Sequence, residues 1–236
     1  MEDGRVNGVE LADGTHERYD HLVSTMPITL LLHGLPDVPD DVRAAADRLG
    51  FRNTIIVFLQ VDRAGLFPDQ WMYLHSDDMQ MGRLTNFRNW VPEITQGQPE
   101  TIIACEYWAY DEDALWNASD DELIALATRE MEGSGLLKGA RSTAGHVEKL
   151  RRCYPVYGRG YRENLEPVER YLESVPGLWP IGRYGAFKYN NQDHSILMGM
   201  LVAANIADGD RHDLWSVYTD YESYQEQALI TEAGLT

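Results

Sequence analysis

Hydrophobic and polar positions along the chain switch between two periods, and the period sets the element expected at each point. Residues 5–11 and 17–19 read as the arms of a β-hairpin closed by Ala12, Asp13, Gly14 and Thr15, an Asp-Gly turn between short alternating runs. His21-Leu22-Val23-Ser24-Thr25-Met26-Pro27 reads as a short strand stopped by proline, residues 28–33 as a helical turn, and residues 41–49 as a helix. Residues 54–61, TIIVFLQV, are too continuously apolar to alternate, which predicts a strand covered on both faces. Residues 71–75, 83–87 and 101–108 supply three more strands, so a mostly antiparallel sheet is expected between residues 51 and 108.

Helical periods dominate downstream. Ser119 with Glu122 makes a capping box, Leu123, Ile124, Ala127 and Met131 fall on one face, and Gly133 supplies a stop. Residues 147–153 read as a strand running into Tyr154-Pro155-Val156-Tyr157, and residues 165–175 as a helix with Pro167 in its first turn. Residues 182–206, GRYGAFKYNNQDHSILMGMLVAANI, follow the apolar Leu178, Trp179 and Ile181 and read as strand, polar turn and helix. From residue 196 to 206 that helix is apolar on nearly every face, which predicts enclosure in protein, with Asp193 as N-cap. Its amides and the positive end of its dipole favour an anion, a carbonyl or an electron-rich ring beside residues 190–195. Residues 212–228, with Trp215, Tyr218 and Tyr221 at near-helical spacing, read as an acidic docking tail or a frayed helix.

A chain of 236 residues with 44% apolar content holds one large domain or two small ones around a sizeable core. Its 20 lysines and arginines against 38 acidic residues give a net charge of -18, which excludes a nucleic-acid partner because phosphate contacts need clustered bases. Each arginine is the more informative for it. No basic segment precedes an apolar one, and no apolar run approaches the roughly 20 residues of a membrane helix, so a cytoplasmic protein with no membrane contact is expected. Cys105 and Cys153 stand alone, as buried small hydrophobes rather than a disulfide or zinc pair. No metal site is expected: His194 beside Asp193 has no second histidine at ligand spacing. No G-x-S-x-G elbow occurs, and no G-x-G-x-x-G follows a strand.

Candidate chemistry gathers near residue 183. Arg183, after an apolar strand, can meet a phosphate with its guanidinium fork or pair with a carboxylate for structure alone. Tyr189 can donate to a phosphoryl oxygen or serve as core with its hydroxyl at the rim. Asn190, Asn191 and Gln192 can read a polar ring edge or a sugar, or serve as turn and cap residues. Tyr154 can face a ligand or pack on Pro155. Glu106, in an otherwise apolar strand, is expected to pair with Arg83 across the sheet.

The pattern G-R-x-G-x-[FY]-K-Y-x-x-x-D at residues 182–193 resembles the C-terminal signature of UDP-galactopyranose mutases and their relatives among the amine-oxidase-like FAD proteins. The resemblance implies that Gly182 closes a flavin-domain sheet and that the helix start, Asn190, Gln192, Asp193, His194 and Ser195, faces the flavin. It further implies that Arg183 and Tyr189 hold a substrate diphosphate, joined by Tyr154 of the Tyr-Pro-Val element and by Arg83 of Gly-Arg-Leu. Asn191 stands where the mutases carry aspartate. Chemistry in that family is flavin-based, so no side chain is expected as catalyst, FAD is the implied cofactor and a UDP-sugar the implied substrate. An amine-oxidase-like or desaturase-like oxidation is the alternative within the superfamily, and a non-catalytic remnant or binding module without FAD the alternative outside it. The implied fold is α+β: a mostly antiparallel substrate-domain sheet with helices, flanked by incomplete pieces of an α/β FAD-binding domain. The implied segments are 1–35 and 176–208 as flavin-domain pieces, 36–175 as substrate-binding domain and 209–236 as acidic tail. Family members carry the glycine-rich FAD motif in a long preceding region. This chain alone is therefore expected to hold FAD weakly or not at all, and to expose apolar surface that a homodimer or a partner chain supplying the FAD-binding part would cover.

Overall fold

A computed structural model describes residues 4–217, 230–231 and 234–235. The described residues divide into two compact units, one within Met1–Phe51 and Tyr154–Thr236, the other Arg52–Cys153. The fold is α+β, with a mostly antiparallel sheet.

The first unit opens with a hairpin of β1 (Gly8–Glu10) and β2 (His16–Arg18), paired antiparallel, with Gly14 at φ +83 in the turn where only glycine sits without strain. Next come β3 (Leu22–Ser24), α1 (Ile28–Gly34) and α2 (Asp40–Ala46). The second unit is built on β4 (Phe51–Val61), β5 (Trp71–Tyr73), β6 (Arg83–Asn86), the short α3 (Phe87–Trp90) and β7 (Thr101–Ala109). It continues with α4 (Ala114–Asn117), α5 (Asp120–Gly133) and β8 (Ser142–Pro155), and its five strands lie in the order β5-β6-β7-β4-β8. The chain returns to the first unit through α6 (Tyr161–Glu173), β9 (Leu178–Pro180), α7 (Gly182–Gly185) and α8 (Gln192–Ala207). A last hairpin pairs β10 (Ile230–Thr231) with β11 (Gly234–Leu235).

In the sheet unit, one face of β4 and β7, including Ile55, Val57, Leu59, Ile103 and Tyr107, packs on the apolar face of α5 through Leu123, Ala127 and Met131. The capping box starts α5 as expected, with Ser119 accepting from the Glu122 amide and Glu122 accepting from the Ser119 amide. Glu130 is buried on that helix, where the Gln80 amide at 2.7 Å and the Tyr107 hydroxyl at 2.9 Å satisfy its carboxylate. Burial pushes the Tyr107 phenol and the Cys105 thiol well above their ordinary range. Cys105 is buried and Cys153 half-buried, both as free thiols.

Several expectations are corrected. Strand β4 alternates toward its end, with Phe58 and Gln60 only half-buried and Ile102 of β7 exposed beside them, so the second face of the sheet is covered at Thr54, Ala104 and Glu106 and open only near Phe58, Gln60 and Ile102. Helix α6 starts at Tyr161 behind Gly160, which adopts φ +76, and Pro167 therefore lies inside the helix instead of in its first turn. Helix α8 begins at Gln192 with Asn191 at the N-cap, so Asp193 is a first-turn residue and not the cap. Enclosure of that helix is not realised in this chain. Met198 and Val202 are buried, whereas Ile196, Leu197 and Met200 are 64%, 44% and 66% exposed. Of the tail reading, residues 218–228 lie outside the described residues, and Trp215 sits in a 3-10 turn, Leu214–Ser216.

The first unit's core joins α1, α2 and α6 through Leu31, Leu32, Val42, Ala46, Val168 and Leu172. Helices α2 and α6 both fall within residues 36–175, yet they pack in the unit that also holds the parallel pair β3 and β9.

Candidate functional site

Two glycines set the entrance to the site. Gly182 begins α7 at φ +77, a left-handed conformation that L side chains strain to adopt. At Gly185 an added Cβ would stand 2.6 Å from the Ser24 carbonyl oxygen, so only glycine lets α7 lie against β3. Between them, Arg183 is carried half-buried on the short helix, and its Nε and Nη2 both donate to the carbonyl oxygen of Asn190, the former at 2.9 Å. Among the described residues Arg183 makes no ion pair, so the carboxylate partnership open at the sequence level is not what holds it.

Two tyrosines complete the cluster. The Arg183 guanidinium carbon lies 4.9 Å from the ring centre of Tyr154 and 5.2 Å from that of Tyr189. The rings stack on each other at 5.3 Å with an interplanar angle of 24°. Tyr189 is 51% exposed and Tyr154 half-buried. A cation with no ion pair among the described residues thus sits beside two phenols on a partly exposed surface, an arrangement that favours a ligand with an anionic oxygen cluster and a flat or apolar neighbour.

Tyr157 is a site residue that the sequence reading missed. Its hydroxyl accepts from the Tyr189 amide at 2.8 Å and donates to the Phe187 carbonyl at 3.4 Å, pinning the loop between α7 and α8. Phe187 holds φ +49, uncommon for a bulky residue, and its ring is buried. Tyr157 also stacks on Tyr161 at 4.4 Å and 6°. Its spacing, three residues after Tyr154 in the same Tyr-Pro-Val-Tyr run, was the available signal.

The remaining candidates separate by position. Asn190 is 1% exposed; its backbone carbonyl takes the Arg183 bonds, its Nδ2 reaches the Met198 sulfur at 3.9 Å, and its buried Oδ1 has no hydrogen-bond partner. Asn191 is exposed at the α8 N-cap, and no side chain caps the sixteen-residue helix. Gln192 and Asp193 are exposed, Asp193 meets His194 Nδ1 at 3.0 Å, and Ser195 Oγ donates to the Asn191 carbonyl at 3.3 Å. In the sheet unit Arg83 faces Glu106 in register, with a two-point bond at 2.8 and 2.5 Å, the pairing expected from the sequence. No group of three His, Cys, Asp or Glu residues that could hold a metal occurs among the described residues, and no described helix is long and apolar enough to cross a membrane.

The profile of the family described as flavin containing amine oxidoreductase matches residues 2–169. Among solved structures, a reduced UDP-galactopyranose mutase superposes with a TM-score of 0.81 at 21% identity, over 93% of this chain and 47% of the mutase. A protoporphyrinogen oxidase candidate from Exiguobacterium sp. superposes with a TM-score of 0.59 at 19% identity, over 78% of this chain and 40% of its own. This chain thus spans about half the length of these two structures, and at such identities they share its fold.

Proposed function

Because the chain belongs to the flavin containing amine oxidoreductase family, we propose that it forms the substrate-facing part of an FAD-dependent enzyme acting on a nucleotide sugar. The observation that carries this reading is Arg183, held by a backbone carbonyl and two tyrosine rings and, among the described residues, in no ion pair. UDP-galactopyranose mutase, the structure that superposes over 93% of this chain, bears a UDP-sugar in its name.

Arg183 would bind the diphosphate by charge, while the Tyr189 and Tyr154 hydroxyls orient its oxygens and their rings screen it from water. Tyr157 fixes the loop that presents Tyr189. Arg83, in the other unit, is bound to Glu106 and is therefore half of an ion pair rather than a free cation. The start of α8 fits an electron-rich ring edge, since aligned peptide dipoles end at a helix start that no side chain caps. Asn190, Gln192, Asp193, His194 and Ser195, with Gly182, are the residues that would hold FAD there, and Asn191 would face the substrate. FAD, when bound, supplies the redox or covalent chemistry, and the protein's residues bind, orient and exclude water.

The exposed Ile196, Leu197 and Met200 support a partner chain or second copy that covers α8 and supplies further FAD contacts. A second reading, oxidation of an apolar or amine substrate, is favoured by Trp71 and Tyr73 of the edge strand β5 and Trp108 of β7, which cluster with centroids 5.1 and 6.5 Å apart. Calorimetric titration with UDP, UMP and uridine tests the diphosphate reading. UDP should bind roughly tenfold or more tighter than uridine, with UMP between them; equal affinities for all three would remove it.

A further inference from the structure

The second face of the sheet, where it is open, carries a cavity of about 610 Å³ within the unit Arg52–Cys153. Its floor is apolar. Phe58 and Ile102 rise from β4 and β7 on the face opposite the core, and Phe87 stacks on Phe58 at 6.2 Å and 23°. Ile94, 60% exposed, stands at its wall, and Trp90 and Val91, 49% and 51% exposed, belong to the same covering segment. For a protein of net charge -18, two exposed isoleucines on the cavity lining, Ile94 and Ile102 at 41%, with Trp90 and Val91 exposed on the adjoining segment, form an unusual patch.

The polar end of this cavity is Arg88. Its Nη2 donates to the carbonyl oxygens of Gln98 and Glu100, the latter at 2.9 Å, so the guanidinium is fixed in place. Its Nε is buried without a hydrogen-bond partner, and among the described residues it makes no ion pair, although Glu100 also lines the wall. An arginine immobilised by backbone carbonyls, short of hydrogen-bond partners and bordering an apolar floor is suited to an anion that brings its own apolar body.

We propose that the cavity between the open sheet face and the segment around α3 binds an amphipathic monocarboxylate, its apolar body on Phe58, Phe87 and Ile102 and its head group at Arg88. The size matches a medium-length acyl chain or a two-ring aromatic acid. A neutral apolar molecule would gain the floor but leave the charge of Arg88 unanswered; a small hydrophilic anion would gain Arg88 and bury nothing. This site stands apart from the diphosphate reading, because it uses no residue of the Arg183 cluster and its test needs no flavin.

The experiment is calorimetric titration of the purified chain with decanoate, with decanol as neutral counterpart and acetate as head group alone. Decanoate should bind saturably and at least about tenfold more tightly than decanol, with acetate showing no saturation. Ile102→Trp, which fills the floor, should abolish binding of both ten-carbon probes. Because Arg88 also fixes its own loop, the charge is tested by Gln98→Glu, which adds a carboxylate beside it: decanoate affinity should fall at least about tenfold while decanol is unchanged. Decanol binding as tightly as decanoate, an absence of saturable decanoate binding, or decanoate binding that survives Ile102→Trp would each overturn the assignment.

Discussion

Tyr157 shows how one hydroxyl can set a loop. It bonds the amide of Tyr189 and the carbonyl of Phe187, two groups that the turn between α7 and α8 leaves without helical partners. Phe187 is held at φ +49, a backbone strain on the order of 1 kcal/mol that the turn sustains only while its flanks are fixed. Tyr157→Phe keeps the ring stack on Tyr161 and removes the bonds. It should cost about 1 kcal/mol of stability and raise amide exchange at residue 189 well above wild type. Unchanged protection at that amide would show that the loop is held by packing alone.

At the scale of elements, the capping box at Ser119 and Glu122 was legible because its residues satisfy each other within one turn. Ser119→Ala should lower stability by about 1 kcal/mol in denaturant melts, and an unaltered midpoint would contradict the cap. The Ser119 bonds hold the Glu122 carboxyl below its ordinary value, so this contribution is present above the unfolded pKa and is lost as pH falls through the lower folded one. Less legible were features that depend on partners far along the chain. The burial of β4 was misread because eight consecutive apolar-rich residues do not reveal that the sheet's second face stays open near Phe58 and Gln60. The α6 start was missed because Gly160, and not a serine or aspartate, precedes it. Arg183 and Tyr189 were placed by motif spacing, whereas their joint contact with Asn190 and Tyr154 arises only when the loop folds back. Helix α8 shows both sides of the problem: its all-round apolar composition signals enclosure, but the described residues cover only one side. Met198→Ala, on the buried side, should cost about 2–5 kcal/mol, whereas Met200→Glu should stay within about 0.5 kcal/mol and reduce binding of a hydrophobic dye. Comparable losses at both positions would mean that α8 is covered on both sides in solution.

Over the whole molecule, 38 acidic residues make the placement of charge a matter of stability as well as of binding. Glu169 lies half-buried on α6, and burial raises its pKa despite the opposing pull of Lys188. The folded state therefore holds this proton more tightly than the unfolded one, and stability falls as pH rises from the unfolded pKa through the raised folded value. Glu169→Gln should raise the melting temperature at neutral pH and narrow its advantage in acid; a constant advantage across pH would assign the effect to something other than titration. The larger question is whether Arg183 serves a ligand or the fold, since the diphosphate reading rests on it. Calorimetric titration of UDP into wild type, Arg183→Ala and Arg183→Lys, with thermal melts of all three, answers it most directly. Arg183→Ala should weaken UDP binding by about 1.5–3 kcal/mol, lysine should restore little, and the melting temperatures should stay close together. Unchanged UDP affinity together with a large fall in melting temperature would make Arg183 a structural residue and contradict the diphosphate site.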